Sequence, residues 1–440
     1  MTLLTRVARV LVLIGAVSGC GSSDSSGNPG ENQAGGPGGS GQAGSAPTTG
    51  GQAGASGQGN GGTSAGSGGS AGVSGAGVSG SSGQAGQGAS GQPGAGAGGG
   101  ADGQAGSSGV AGSGGGGAAG QGGAAGAQTS EFWTGVNLSC GEFGEGKLPG
   151  NYSTDYTYPT SAEVDYFVGK QLGLLRVPFR WERLQHQALG ELDATEMTRL
   201  DAVVTYATEH GGRVLLDPHN YARYYGKVLG TADAPDAQFA DFWQKLAAHY
   251  KDNDRVIFGL MNEPHDLPTE QWLGSANAAI AAIRKAGAKN LITVPGNAYT
   301  GAHSWLDSWY GKPNGEVMLG VVDPGNNFAF EVHQYLDTDS SGTKDACVSA
   351  TIGSERLKAF TGWLKQHGHR GLLGELGAGR NDTCYAALDD ALTHIDQNRD
   401  VWMGWTYWAA GPWWGDYMFS LEPENGQDRP QMAPLLKHVK

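Results

Sequence analysis

Cysteine is scarce in this chain, with four in 440 residues. So low a count excludes the disulfide framework of a small secreted module, and no Cys/His spacing matches a zinc site. Phosphate-cradling loops are missing as well, because no glycine-rich loop follows a strand-like run in the dinucleotide or P-loop pattern. Neither a cofactor nor a metal is therefore expected. Positive charge is in deficit: 28 Lys and Arg stand against 42 Asp and Glu, a formal net charge of −14. That balance argues against nucleic acid or anionic lipid as a partner. Residues 21–128 lack every aromatic residue and every Leu, Ile and Met. Such a stretch cannot bury enough apolar surface to offset its chain entropy, so it is expected not to fold.

What is present begins beyond Ser130. All 12 Trp lie there, with every Tyr and Phe, and so does the acidity, since residues 1–128 carry only Arg6, Arg9, Asp24, Glu31 and Asp102. About 310 residues suit one large domain, and an α/β barrel in particular. Acidity combined with abundant Trp and Tyr suits a neutral, ring-shaped substrate that stacks on aromatic faces.

The first twenty residues read as an export signal. Arg6 and Arg9 supply the positive start, and the apolar segment 10–17 is too short to span a bilayer. Val17-Ser18-Gly19-Cys20 resembles the bacterial lipobox, which implies lipidation of Cys20; an ordinary cleaved signal is the alternative. Gly21 after the cysteine, rather than Asp, favours by the same resemblance the outer membrane. The expected organisation is a signal over 1–20, a Gly/Ser-rich linker over 21–128 and a catalytic domain over 129–440. The linker should act as a flexible tether with an r.m.s. span of roughly 55–60 Å. The mature protein is expected outside the cytoplasm, at the cell surface, as a monomer. Of the three remaining cysteines, an oxidising compartment permits one disulfide. Cys347 and Cys384 flank the loops after two successive late runs and are paired, which leaves Cys140 free and buried.

Beyond the tether, short apolar runs alternate with helical patterns, which implies parallel strands joined by crossover helices. The runs are 132–138, 174–179, 214–217, 256–261, 291–295, 328–333, 372–375 and 401–408. Eight is the number a closed (β/α)8 barrel needs. Thr160-Ser161-Ala162-Glu163 predicts a capping box. A helix from about Thr195 should end at Gly211-Gly212, and another should begin at Pro235 and end near Tyr250.

The chemistry sits where these runs end. Asn262-Glu263-Pro264 closes the fourth, and Gly374-Glu375 closes the seventh. Strand ends on that face are where such barrels place catalytic groups. Two carboxylates facing each other across a cleft are the minimum equipment for hydrolysing a glycosidic bond, one carrying a proton and the other ionised. Four more runs end in polar or aromatic residues: Arg176 to Trp181, Asp217 to Tyr224, Glu331 to Asp337, and Trp405-Thr406-Tyr407-Trp408. Six such ends on one face point to an active site.

The segments 217–224, 259–266, 331–337 and 374–379 resemble glycoside hydrolase family five, and most of all its fungal-type endoglucanase branch. Met261-Asn262-Glu263-Pro264-His265-Asp266 and Val332-His333-Gln334-Tyr335-Leu336-Asp337 match in spacing and flanks. The resemblance spans the chain from Phe132 onward, and Ser341-Gly342-Thr343 supports the Cys347–Cys384 pairing. It departs at Ser139-Cys140-Gly141-Glu142-Phe143, which lacks the branch's cysteine pair. It implies retaining hydrolysis of a β-1,4-glucan, with mannan, mixed-linkage glucan, xyloglucan or a non-catalytic glycan-binding role as alternatives. By the same resemblance Glu263 is the acid/base and Glu375 the nucleophile. Arg176 holds Glu375 ionised and Tyr335 donates to it. Asn262 meets the sugar 2-hydroxyl, His219 and His333 line the subsite at the scissile bond, and Trp408 is the stacking platform. Trp181, Tyr224, Trp305, Trp413 and Trp414 are further candidate platforms.

Overall fold

The structure, a computed structural model, describes residues 131–439. The export segment, Cys20 and the tether lie outside the described residues. Eight parallel strands form a closed barrel: β1 Trp133–Leu138, β2 Leu174–Phe179, β3 Arg213–Pro218, β4 Val256–Gly259, β5 Ile292–Pro295, β6 Phe328–His333, β7 Gly371–Glu375 and β8 Trp402–Ala410. Each pairs with its sequence neighbours, and β8 closes on β1 with Thr134 opposite Trp405. All eight expected runs are strands, displaced by two residues at most at any end. They read as continuous apolar runs because strands of such a barrel are covered on both faces.

Helices form the outer layer: α1 Ser161–Gly169, α2 Ala194–Glu209, α3 Asp236–Tyr250, α4 Thr269–Lys285, α5 Asn314–Val317, α6 Ile352–His367, α7 Asp382–Asp396 and α8 Met432–Leu435. The local signals act as their chemistry requires. The Thr160 side chain accepts from the Glu163 N–H while the Glu163 carboxylate accepts from the Thr160 N–H, satisfying two orphan donors of α1. Asp193 caps α2, and Gly211 follows its end at φ +94°, a left-handed turn that glycine adopts without strain. Pro235 precedes the first turn of α3 as its N-cap, one position earlier than expected. α5 and α8 are single turns, so loops cover the barrel after β5 and β8.

Two apolar layers hold the barrel together. Between strands and helices, Trp243, Trp272, Trp402 and Trp405 are fully buried, with Phe239, Phe242 and Phe258 among them. Burying one such large side chain stabilises by about 1.5–3 kcal/mol. A second, separate cluster draws Leu174, Leu215, Ile257, Leu291, Ala329, Leu372 and Met403 from seven strands or their immediate flanks and plugs the lower barrel. Two residues further along several of these strands, on the same face, stand Arg176, Asp217, Thr293 and Glu331. The barrel is apolar below and polar towards its carboxyl ends.

The first loop, where the family resemblance breaks, is held without a disulfide. Glu142 is buried and accepts from the Ser139 hydroxyl and from the Cys140 N–H at 2.9 Å. Arg180 donates to the Glu142 carbonyl at 3.0 Å, and Arg183 donates to the carbonyls of Gly141 and Phe143. Cys140 is a free, buried cysteine as expected, and Cys347 is bonded to Cys384 with their Cα atoms 5.2 Å apart. The bridge spans 37 residues and ties the loop after β6 to the start of α7. The paired Cys347→Ser, Cys384→Ser variant is expected to lose about 2–4 kcal/mol. Thermal unfolding checks this as a lowered Tm, and an unchanged Tm would mean the bond adds nothing.

Candidate active site

Arg176 stands at the centre of the barrel mouth with no exposed surface. Each of its nitrogens is engaged. Nε donates to Glu331 Oε1 at 2.9 Å. Nη1 donates to Asn137 Oδ1 and to Glu375 Oε1, both at 2.9 Å, and lies 3.1 Å from Asp217 Oδ2. Nη2 donates to Asn262 Oδ1 at 2.8 Å. One guanidinium from β2 thus ties together side chains from β1, β3, β6, β7 and the segment that follows β4. Charge-assisted bonds of this kind are the strong ones.

The two glutamates face each other across this centre. Glu263 follows β4 at φ +41°, an uncommon conformation for a non-glycine residue and one that clusters at functional sites. Its Oε1 lies 2.8 Å from His333 Nδ1, and its side chain keeps 17% exposure. Glu375, at the end of β7, keeps 4%. Both of its oxygens accept: Oε1 from Arg176 and Oε2 from the Tyr335 hydroxyl at 2.5 Å. His333 Nδ1 lies 3.5 Å from Glu375 Oε2, so one imidazole edge faces both carboxyl groups.

These contacts set the charges. Burial disfavours the charged form of His333, yet Glu375, Glu263 and Glu331 around it push its pKa up to about 10. Burial also works against ionised Glu263, but the hydrogen bond and charge of His333 outweigh it and hold the carboxyl below its ordinary value. For Glu375 burial prevails over His333 and Arg176 and raises the pKa to about 7, with the nearby Glu263 adding to the rise. Arg176 pulls Glu375 in the expected direction without overcoming that burial. Groups this close titrate together, and their proton belongs to the cluster.

Glu263, His333 and Glu375 each offer one ligand atom, all within 4.8 Å of one another. Each already has a protein partner: His333 Nδ1 faces Glu263, and the two oxygens of Glu375 accept from Arg176 and Tyr335. Ion pairs and hydrogen bonds already satisfy this cluster.

All eight sequence-predicted site residues stand at the barrel mouth. His219 is kept neutral by burial and by Arg176 and Arg180, and its Nδ1 lies 2.8 Å from Asp217 Oδ2. Nε2 is therefore the free acceptor on that ring. Asn262 holds Arg176 through its oxygen, while its buried Nδ2 has no partner in the protein. A buried amide N–H without a partner is costly, so its position is that of a donor awaiting a ligand. Trp408 lies beside His219, with ring centroids 5.5 Å apart, and meets Trp414 edge-on. His333 does more than line the cleft, since it bridges the two carboxyl groups.

Three candidate platforms are corrected. Trp181 is fully buried under Tyr224, Phe239 and Phe242, and Trp305 is fully buried among Phe330, Phe360 and Trp363. Tyr224 is buried with its hydroxyl donating to the Gln185 carbonyl. All three pack the layer behind the mouth. Trp413 is 40% exposed and Trp414 packs on Phe143 and Tyr417, so those two remain at the rim.

The sequence reading gave no role to Asn137, Asp217, Thr293 and Glu331 around Arg176, nor to Tyr221, His265 and Tyr299, which continue a line of rings from His219. Two carried a signal. Asp217 precedes His219 by two residues and Glu331 precedes His333 by two, so in a strand each carboxylate shares a face with its histidine.

A closed parallel barrel with two facing carboxyl groups at its carboxyl end is the architecture of a glycoside hydrolase. The family model described as cellulase (glycosyl hydrolase family 5) matches residues 125–411. The endo-beta-1,4-glucanase B of Aspergillus niger is 42% identical over 306 residues, which is 69% of this chain and 89% of that protein. XacCel5A in complex with cellopentaose is 48% identical with a TM-score of 0.69, covering 70% of this chain and 99% of that one. An endoglucanase of Pseudomonas stutzeri in complex with cellobiose is 34% identical with a TM-score of 0.65, over 70% of this chain and 92% of that one. The chain belongs to the cellulase family, glycosyl hydrolase family 5.

Tyr335 donates to the ionised form of Glu375, so its removal must favour protonation. Tyr335→Phe is expected to raise the Glu375 pKa by about one to two pH units, from the 1.5–3 kcal/mol of a hydrogen bond to a charged group. Carbon-13 NMR titration of the glutamate side chains checks this, and an unmoved or lowered pKa would contradict it.

Proposed function

We propose that the protein is an endo-acting β-1,4-glucanase that retains anomeric configuration. The observation that carries this reading is the closeness of the two carboxyl groups, whose nearer oxygens lie within 4.8 Å of each other. Retaining sites hold them about 5–5.5 Å apart, too close for the water that inverting sites place between them. The endoglucanase relatives, two of them bound to cellopentaose or cellobiose, support the β-1,4-glucan.

The roles follow from what each carboxyl group can still do. Both Glu375 oxygens already accept from Arg176 and Tyr335, donors that favour its ionised form, so it serves as the nucleophile. Glu263 is the more exposed and has His333 as its one protein partner, which leaves an oxygen for the glycosidic bridge. A sugar filling the cleft strips water from that oxygen, which raises the pKa of Glu263 and draws the shared proton onto it. A Glu375 oxygen then bonds to the anomeric carbon as the glycosidic C–O bond breaks, and the Glu263 proton passes to the departing oxygen. Water subsequently attacks the same carbon, gives its proton to Glu263 and frees Glu375. Asn262 Nδ2 meets the sugar 2-hydroxyl, His219 Nε2 accepts from a neighbouring hydroxyl, and Trp408 lies under the ring. Arg176 and His333 hold the charges in place.

Release of reducing ends from carboxymethylcellulose, compared with mannan, tests the substrate. Proton NMR of the first product tests the stereochemistry, since a retaining enzyme releases the β-anomer first. Glu263→Ala should keep part of its rate on activated aryl glycosides and be rescued by azide, whereas Glu375→Ala should lose activity on all of them. The α-anomer appearing first, or the two variants exchanging behaviour, would sink the assignment.

We also propose that residues 1–20 direct export, that Cys20 carries the lipid of an outer-membrane lipoprotein, and that 21–128 tether the domain at 129–440. The support is the sequence of those residues, together with the secreted-type disulfide. No helix of the described residues is long and apolar enough to cross a membrane. In this proposal the acyl chains on Cys20 supply the anchoring. Cys20→Ala is expected to leave catalysis intact and to shift the protein from the membrane pellet to the soluble fraction. A variant that stays in the pellet would refute the anchor.

A further inference from the structure

Glu331 is a buried carboxylate that the reaction itself does not use. It stands on β6, 2% exposed and two residues before His333, beneath the groups that meet the sugar. Oε1 accepts from Arg176 Nε at 2.9 Å and lies 3.5 Å from His333 Nε2. Oε2 accepts from the Thr293 hydroxyl at 2.5 Å. A single oxygen is thus shared by the two cations that face Glu375 and Glu263. Burial raises the Glu331 pKa, but Arg176 and His333 reverse this and bring it down to about 2, so the group is charged at any working pH.

The neighbouring sequence makes room for it. A Cβ at Gly374 would lie 2.4 Å from Glu331 Oε1, which accounts for glycine directly before Glu375. Arg176 Nε has no other acceptor, whereas Nη1 and Nη2 carry the bonds to Glu375 and Asn262. Releasing Nε would let the guanidinium plane turn, and both of those side chains would follow it.

We propose that Glu331 is a positioning residue for the hydrolytic reaction: it orients Arg176 through Nε and balances the Arg176 and His333 charges, fixing where Glu375 stands and how readily it ionises. The inference rests on the reading of Glu375 as nucleophile. The charged groups that share the cluster are Arg176 from β2, Asp217 from β3, Glu263 after β4, His333 from β6 and Glu375 from β7.

Glu331→Gln keeps the shape and an acceptor for Nε but removes the charge. Arg176 and His333, less neutralised, then favour ionised Glu375 more strongly. The acid limb of the kcat/KM profile on carboxymethylcellulose should move to lower pH. With the guanidinium less firmly held, kcat should fall about tenfold or more while KM stays within about twofold, since misplacement of a reacting group by about 1 Å costs up to about a hundredfold. Thr293→Val removes the other anchor of Glu331 without changing its charge. It should lower kcat by less, leave KM alone and cause no downward shift of the acid limb. A merely structural Glu331 would give a lowered Tm with kcat and the acid limb unchanged, and that result overturns the proposal. Should Glu331→Gln fail to fold, Thr293→Val decides: a reduced kcat at unchanged KM supports the role, and a wild-type kcat overturns it. A wild-type enzyme inactive on every β-glucan would instead refute the functional reading, so the two failures are distinguishable.

Discussion

A guanidinium with no contact with solvent is the fixed point of this molecule. Desolvating such an ion costs several kcal/mol, and the cost is met only when every donor finds a well-placed acceptor. Arg176 finds Asn137, Asp217, Asn262, Glu331 and Glu375, drawn from five different places around the barrel. The acceptors are themselves acids and amides that would be unstable in the same place without it. Removing one partner of a buried ion pair typically costs about 3–5 kcal/mol because the other charge is left uncompensated. The barrel mouth is therefore a mutually dependent set, and its geometry is as much a product of charge balance as of strand packing.

That dependence explains why backbone strain survives beside it. Glu263 is held in a left-handed conformation, and Ala298, Tyr299 and Thr300 follow one another in the same region. Each such residue costs of order 1–3 kcal/mol and persists only where the surroundings over-determine it. Around Glu263 those surroundings are the His333 contact and the anchored Asn262 beside it. Around Thr300 they are its hydroxyl bonds to the Gly296 N–H and the Glu331 carbonyl. The rigidity of the charged centre is what allows the loops above it to present side chains in shapes they would not choose alone.

The barrel was legible because its strands are covered on both faces and so appear as short, dense apolar runs that no amphipathic helix imitates. The site was legible because polar residues at the ends of such runs have no packing reason to be there. Trp181 and Trp305 show where this reasoning stops. An aromatic ring just past a strand packs equally well under a helix or over a cleft, and the choice depends on side-chain direction that a one-dimensional pattern does not hold. Glu331 and Asp217 could be named only as the start of polar strand ends, without a role: they sit inside strands, where a carboxylate is unexpected, and only the buried arginine on β2 makes sense of them. The single-turn helices after β5 and β8 had no counterpart in periodicity because four residues are too few to show one.

The remaining thiol bears on how the chain reaches this state. Three cysteines lie in the folded region and only two of them join, so a misplaced bond is open to a chain maturing under oxidising conditions. Thiol–disulfide exchange needs a thiolate with access to sulfur. Cys140 has neither, because burial and the nearby Glu142 carboxylate push its pKa far above the ordinary thiol value. Once the first loop closes over it, the odd cysteine is chemically silent, and the Cys347–Cys384 link cannot be shuffled from within. In the folded protein the odd cysteine is present yet offers the Cys347–Cys384 bond no competitor.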